Sequence, residues 1–252
     1  MLTRAQAVEQ FRATGITPGD TVMVHSAFRS LGPVEGGPDT VIDALLELVG
    51  PEGTVLFPTF NFHAWTEAHY WDSDETPSEM GALTEIARRR PGAVRTPHPI
   101  YSFAVLGARQ AGFAACDDVE AFGPRSAFAL FHRLDGLIVS IGLDWNSTFT
   151  LTHFIEREND ASYRRTKRFG GIYLLPGQPP AVREFTMFVR RDETRTRINP
   201  AMDELAGRGV VGITPVGEAG VAFCRAGRFY TELAPIVRER PHLLHHTVQR
   251  GG

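Results

Sequence analysis

One arrangement able to run acid-base chemistry lies in Thr150-Leu151-Thr152-His153-Phe154-Ile155-Glu156, where His153 and Glu156 stand at i and i+3 on one face of an expected helix. A carboxylate beside an imidazole orients the ring and stabilises its charged form while the ring takes a proton, which is the simplest general base. The same pair is also a common polar contact on a helix surface.

A second segment, His25-Ser26-Ala27-Phe28-Arg29-Ser30-Leu31-Gly32, follows an apolar run and precedes Gly36-Gly37 and a helix. Strand ends of α/β sheets are where ligands bind, and small hydroxyl residues let backbone N–H groups approach an anion. The alternative is a turn whose serines satisfy local backbone groups. Ser26 is not placed as a nucleophile, because the G-x-S-x-G elbow is absent. A third segment, Arg95-Thr96-Pro97-His98-Pro99-Ile100-Tyr101-Ser102, is held extended by its two prolines. There His98 and Ser102 would present hydrogen-bonding groups at a fixed place and Arg95 could meet a phosphate; the other reading is a structural histidine.

The fourth segment runs from Phe60 to Ser78 and mixes Trp65, Tyr70, Trp71, His63 and His69 with Glu67, Asp72, Asp74 and Glu75. Aromatic walls and carboxylates suit a cation, so these acids are candidate contacts for an ammonium group. Equally, the segment could be a solvated acidic loop with its aromatics in the core. A metal site built from His63, His69 and Asp72 matches no zinc spacing, and no metal is assigned.

These segments need a scaffold. Residues 21–25 and 53–58 read as buried strands around a helix at 38–49 that opens at Pro38 and stops at Gly50-Pro51, a βαβ-like unit. Further helices are expected at 80–90, 125–133 and 150–158, with strands at 101–107 and 136–141. Residues 59–78 lose periodicity and are expected to form a loop or lid. Strands at 183–191 and 210–224, with short helices near 199–206 and 229–239, would form an antiparallel extension. The expectation is one mixed α/β domain over residues 1–252, with a largely parallel central sheet, flanking helices and that C-terminal antiparallel extension.

Composition bounds the function. With 26 basic and 29 acidic residues among 252, the net charge of −3 recommends neither nucleic acid nor an anionic membrane as partner. No apolar run approaches the roughly 20 residues of a spanning helix, and no signal peptide is read at the start, so a cytoplasmic location is expected. Two cysteines, Cys116 and Cys224, are too few for a disulfide framework.

Taken together, the segments resemble the aminoglycoside 3-N-acetyltransferase (antibiotic N-acetyltransferase) family over roughly residues 18–160 and, more weakly, to the C-terminus. The resemblance rests on VHSAFRSLGPVEGGPDTVIDALLELVGPEGTVLFPTF at 24–60, MGALTEIARRRPGAVRTPHPIYSFAVLG at 80–107 and THFIE at 152–156. It implies an enzyme that uses acetyl coenzyme A to acetylate a small-molecule amine by direct attack on the thioester. His153 would be the general base, oriented by Glu156. His25, Ser26, Arg29, Ser30, Leu31, Gly32 and Thr59 would line the donor, with backbone N–H groups near Ser30 and Leu31 polarising the carbonyl. His98 and Ser102 would contact the donor as well, and Arg29 or Arg95 its phosphates. Glu67, Asp72, Asp74 and Glu75 remain the acceptor candidates, Cys116 and Cys224 are expected to be dispensable, and a homodimer is possible. The chain departs from the family at Phe149, where members often carry Asn before the Thr of the TxxHxxE pattern. Acyl transfer to another amine in biosynthesis, an amine- or coenzyme A-binding protein, and a metal hydrolase using His63, His69 and His153 are the rival readings.

Overall fold

The computed structural model describes residues 1–247, with the side chain of Ser147 left aside. Helix α1 (Arg4–Arg12) opens with a capping box in which Thr3 and Gln6 exchange side-chain and backbone hydrogen bonds. The chain then forms β1 (Thr21–Ser26), α2 (Pro38–Val49), β2 (Thr54–Pro58), α3 (His63–Thr66), β3 (Tyr70–Asp72), α4 (Ala82–Arg89), β4 (Val94–Arg95), β5 (Phe103–Gly107), α5 (Gln110–Ala114), α6 (Ala127–Arg133) and β6 (Leu137–Ile141). It continues through α7 (Leu151–Glu158), β7 (Arg164–Leu174), β8 (Ala181–Arg190), β9 (Thr194–Thr196), α8 (Asn199–Gly207), β10 (Gly212–Val216), β11 (Ala219–Arg225), α9 (Ala226–Glu239) and β12 (His245–Thr247).

Seven strands form the main sheet in the order β10-β11-β6-β1-β2-β5-β4. Its centre, β6-β1-β2, is parallel, with Met23 opposite both Leu56 and Ile138. All four outer strands pair antiparallel, so the sheet is mixed, and the parallel pairing expected of the central sheet lies at its centre. The reason is connectivity: β1-α2-β2 is a crossover unit, whereas the two residues between β10 and β11 can only build a hairpin. The central strands are apolar throughout because both faces are buried. Along β1, Val22 and Val24 face the layer holding Val41 and Leu45 of α2, while Met23 faces the opposite layer with Phe103 and Phe128.

The segment at 59–78 is not structureless. It holds α3 and β3, and β3 joins a second sheet in the order β3-β7-β8. Trp65 and Trp71 are completely buried. Trp65 donates its indole N–H to the Phe169 carbonyl, and Trp71 stacks on Tyr173 at 5.2 Å. Of the aromatics expected to wall an exposed pocket, Trp65 and Trp71 are therefore packing between this segment and the long β7–β8 hairpin, and Tyr70 stays exposed.

Where β6 ends, Gly142 takes φ +61°, and a Cβ there would lie 1.8 Å from Ser30 Oγ in the turn that follows β1. Gly142→Ala therefore combines left-handed strain with a clash and should lower stability by roughly 2 kcal/mol, read as a lower urea midpoint with unchanged m-value. Gly207→Ala, helical and in open space, should instead leave the midpoint equal or raise it. Equal midpoints in Gly142→Ala and the unsubstituted protein would remove the argument for that contact.

Candidate active site

Helix α7 starts just after Phe149, a fully buried residue held at φ +52°. That backbone turn drives the helix into the core, burying Leu151, Thr152, Phe154, Ile155 and Glu156 and leaving His153 partly open. His153 Nδ1 lies 2.7 Å from Glu156 Oε2. Glu156, only 2% exposed, also accepts the Tyr163 hydroxyl at 2.9 Å on Oε1 and lies 2.5 Å from Arg164 Nε. Arg164 in turn donates to the Phe188 carbonyl on β8.

These partners set the charges. Burial alone would raise the Glu156 carboxyl, but Arg164, His153 and Tyr163 outweigh it and hold the carboxyl below its ordinary range. His153 is held below the usual imidazole value, first by burial and then by the Arg164 charge, against the opposing pull of Glu156. With Glu156 ionised, the His153 Nδ1–H donates to it and Nε2 is left as the basic nitrogen.

His153 stands at the junction of two cavities. The larger, about 550 Å³, runs over β7 and β8; the smaller, about 330 Å³, runs from α7 to His25 at the end of β1. Phe62, Tyr101, His153 and Thr196 line both. A third, about 340 Å³, shares His25 and Met80 with the smaller cavity and adds Ser26 and Pro58. The three form a series across the carboxyl ends of β1 and β2, where α/β sheets place ligands. Several wall groups lack a partner among the described residues: His25 Nε2, Ser26 Oγ, Thr148 Oγ1 and Thr152 Oγ1 are buried and unbonded. Such groups fit a ligand with amide or carbonyl groups in the groove. Burial lowers His25 to about 4, so it is a neutral hydrogen-bonding group there.

Other sequence candidates lie elsewhere. Ser30 donates its backbone N–H and its hydroxyl to the Ala27 carbonyl, and the Gly32 N–H goes to Arg29. Leu31 is buried and Arg29 is exposed beside the turn. Thr59 and Ser102 are fully buried and bonded to each other. Arg95 spends its guanidinium on Ser102 Oγ and the carbonyls of Thr59, Ser73 and Thr76, packed on Trp71, so it ties three segments together. His98 turns inward: its Nδ1 accepts the N–H groups of Ile100 and Tyr101, and burial lowers it to about 4. Its neighbour Tyr101 is the residue of that segment that lines the cavities.

The acidic candidates do not line the groove at His153. Glu67 is exposed near His63, Asp72 accepts the backbone N–H groups of Asp74 and Glu75, and those two line a separate cavity with Arg88 and Arg89. His63 bonds Glu79, and His69 Nδ1–H donates to the Gly170 carbonyl; neither bonds to His153. Tyr101, Tyr163, Arg164, Thr148 and Thr152 went unread. Of these, only Thr152 and the Tyr163-Arg164 pair adjoin the His153 motif closely enough for sequence to have pointed to them.

A family model described as aminoglycoside 3-N-acetyltransferase matches residues 23–236. Over 198 residues the chain is 34% identical to aminoglycoside N(3)-acetyltransferase VII of Streptomyces paromomycinus, a match covering 70% of this chain and 68% of that protein. It is similar to the sisomicin-bound structure of AAC-VIa, with 29% identity and TM-score 0.81 over 94% of this chain and 98% of that one. It shares a fold with AAC-IIIb, solved as a binary complex with CoASH, at TM-score 0.85, 23% identity and 99% coverage of each chain.

The buried histidines make acid stability testable. Because His25 and His98 are lowered to about 4 in the folded state, the unfolded chain binds more protons as pH falls below about 6.5, and stability is lost from there toward pH 4. The melting temperature should drop by roughly 3 °C or more between pH 7 and pH 5, with a shallower slope in His98→Gln. A melting temperature that is flat across that window would show that neither ring is held neutral.

Proposed function

The chain belongs to the aminoglycoside 3-N-acetyltransferase family, and from that premise we propose that it transfers acetyl from acetyl coenzyme A to an amine of an aminoglycoside or related amino sugar, with His153 as general base. The observation that carries this reading is the His153–Glu156 pair at the junction of two cavities, its Nε2 free to take a proton. An ammonium group must lose a proton before it can attack a carbonyl, and an imidazole that is neutral at physiological pH is suited to take it. The donor supplies an activated acyl group whose thiolate leaves as the new amide forms.

The chain's own groups have separable tasks. Glu156 fixes the His153 tautomer and stabilises the ring once it is protonated; Tyr163 and Arg164 hold Glu156 in place. His25 and Ser26 line the inner end of the groove, where their unbonded polar atoms suit the amides of a pantetheine arm. Arg29, exposed beside them, is the candidate for a donor phosphate. Thr148 and Thr152 offer hydroxyls in the smaller cavity for the acyl carbonyl. Neither cysteine has a place in this scheme: burial raises Cys116 to about 11 and Cys224 to about 12, leaving both as thiols.

Release of free thiol from acetyl coenzyme A in the presence of aminoglycosides and simpler amino sugars tests the proposal. His153→Ala should lower kcat/KM by about 10²- to 10⁴-fold, whereas Cys116→Ser should keep its rate. The acid limb of the kcat/KM profile should fall below the ordinary histidine value, since burial and Arg164 lower His153, and Glu156→Gln should move that limb lower still. Full activity in His153→Ala would end the general-base assignment.

A further inference from the structure

The large cavity beyond His153 has a charge that the transfer reading does not predict. Its wall on β7 and β8 carries Arg164, Arg165, Lys167 and Arg190 and, among the described residues, one carboxylate, Asp192. Arg164 is neutralised by Glu156, and Arg165 lies 3.3 Å from Asp192. Lys167 and Arg190 have no carboxylate partner among the described residues; the Lys167 ammonium instead sits 4.7 Å from the centre of the Phe169 ring. Among the described residues, the smaller cavity on the other side of His153 has no Asp, Glu, Lys or Arg in its wall. The third cavity has, among the described residues, one carboxylate, Glu79, which pairs with His63, so along the groove positive charge gathers only beyond His153.

Resting on the transfer reading, which puts the donor at the β1 end of the groove, we infer that of its two acceptor classes the preferred one is the related amino sugar, carrying an anionic group, a phosphate or a carboxylate, over a polycationic aminoglycoside. The donor arm fills the neutral cavity, the amine meets His153, and the rest of the acceptor extends over β7 and β8. A polyamine there would set its ammonium groups against Lys167 and Arg190, whereas a phosphate on the same sugar would find two unpaired cations within one cavity of about 550 Å³. Like charge on this wall disfavours one acceptor class while it selects the other.

The test compares three acceptors in the thiol-release assay: D-glucosamine 6-phosphate, D-glucosamine and the polycation kanamycin. The expected result is a kcat/KM for the phosphate ester at least tenfold above the other two, lost in the double variant K167Q/R190Q through a higher acceptor KM. Kanamycin turnover equal to or better than that of the phosphate ester overturns the inference. A rise in the KM for acetyl coenzyme A without one for the acceptor also overturns it, by assigning the cations to the donor's phosphates. Direct binding of D-glucosamine 6-phosphate by calorimetry separates this claim from the transfer reading. Binding that requires Lys167 and Arg190, with no thiol released from any acceptor, upholds the anionic site and counts against transfer. No binding and no preference for the phosphate ester refutes the site whatever the turnover.

Discussion

The site depends on one buried carboxylate. Glu156 is 2% exposed, and an ionised carboxylate in such a place is tolerated only when paired and hydrogen-bonded. Its three partners come from two directions: His153 from the same helix, and Tyr163 and Arg164 from the segment where β7 begins. The chain returns from α7 to β7 in five residues, helped by Asp160 at φ +47°. One carboxylate thus orients the His153 ring and anchors the first strand of the hairpin that walls the larger cavity. Chemistry and cavity shape are coupled through it: an error in placing β7 would also disturb the tautomer of His153.

That coupling marks how far the sequence could be read. The His153–Glu156 pair was legible because its geometry is local, set by the helical repeat alone. The strands β1, β2 and β6 were legible as short apolar runs, and α2 by its Pro38 start and Gly50 stop. Helix α1 was not read, although the capping box Thr3-x-x-Gln6 was there to find. Strand β7 was not read because its sequence, RRTKRFGGIYL, has no alternating apolar face; it is stabilised by its pairing with β8 and by the anchor at Arg164. The antiparallel outer strands follow from connections whose direction no local pattern encodes.

The segment at 59–78 shows why composition misleads about a site. Aromatics and carboxylates close together in sequence suggested one pocket, but the two tryptophans and the carboxylates separate by solvation, with Tyr70 exposed. Trp65 and Trp71 go into the core against Tyr173 and Phe185, while Glu67, Asp74 and Glu75 stay in solvent. Asp72 is consumed in closing a turn. The prolines around His98 act in the same way. They fix its place as expected, but that place faces inward, and the adjacent Tyr101 reaches the groove instead. Rigid local backbone determines that a side chain is held still, not which side of the wall it is on.

The charges distribute in the reverse of what the linear sequence suggests. Asp74 and Glu75 of the 59–78 segment sit with Arg88 and Arg89 of α4 in a cavity of their own. The basic run at 164–168 would pass for the solvated face of a strand, and alone it would be one. It borders the groove because Glu156 holds Arg164 at the start of β7, and the pairing of β7 with β8 places Arg165 and Lys167 in the cavity wall. The net charge of −3 averages over these separate regions. What lines the cavity beyond His153 is a few basic groups close to the buried carboxylate, so the charge of that wall and the orientation of the His153 ring meet at one contact.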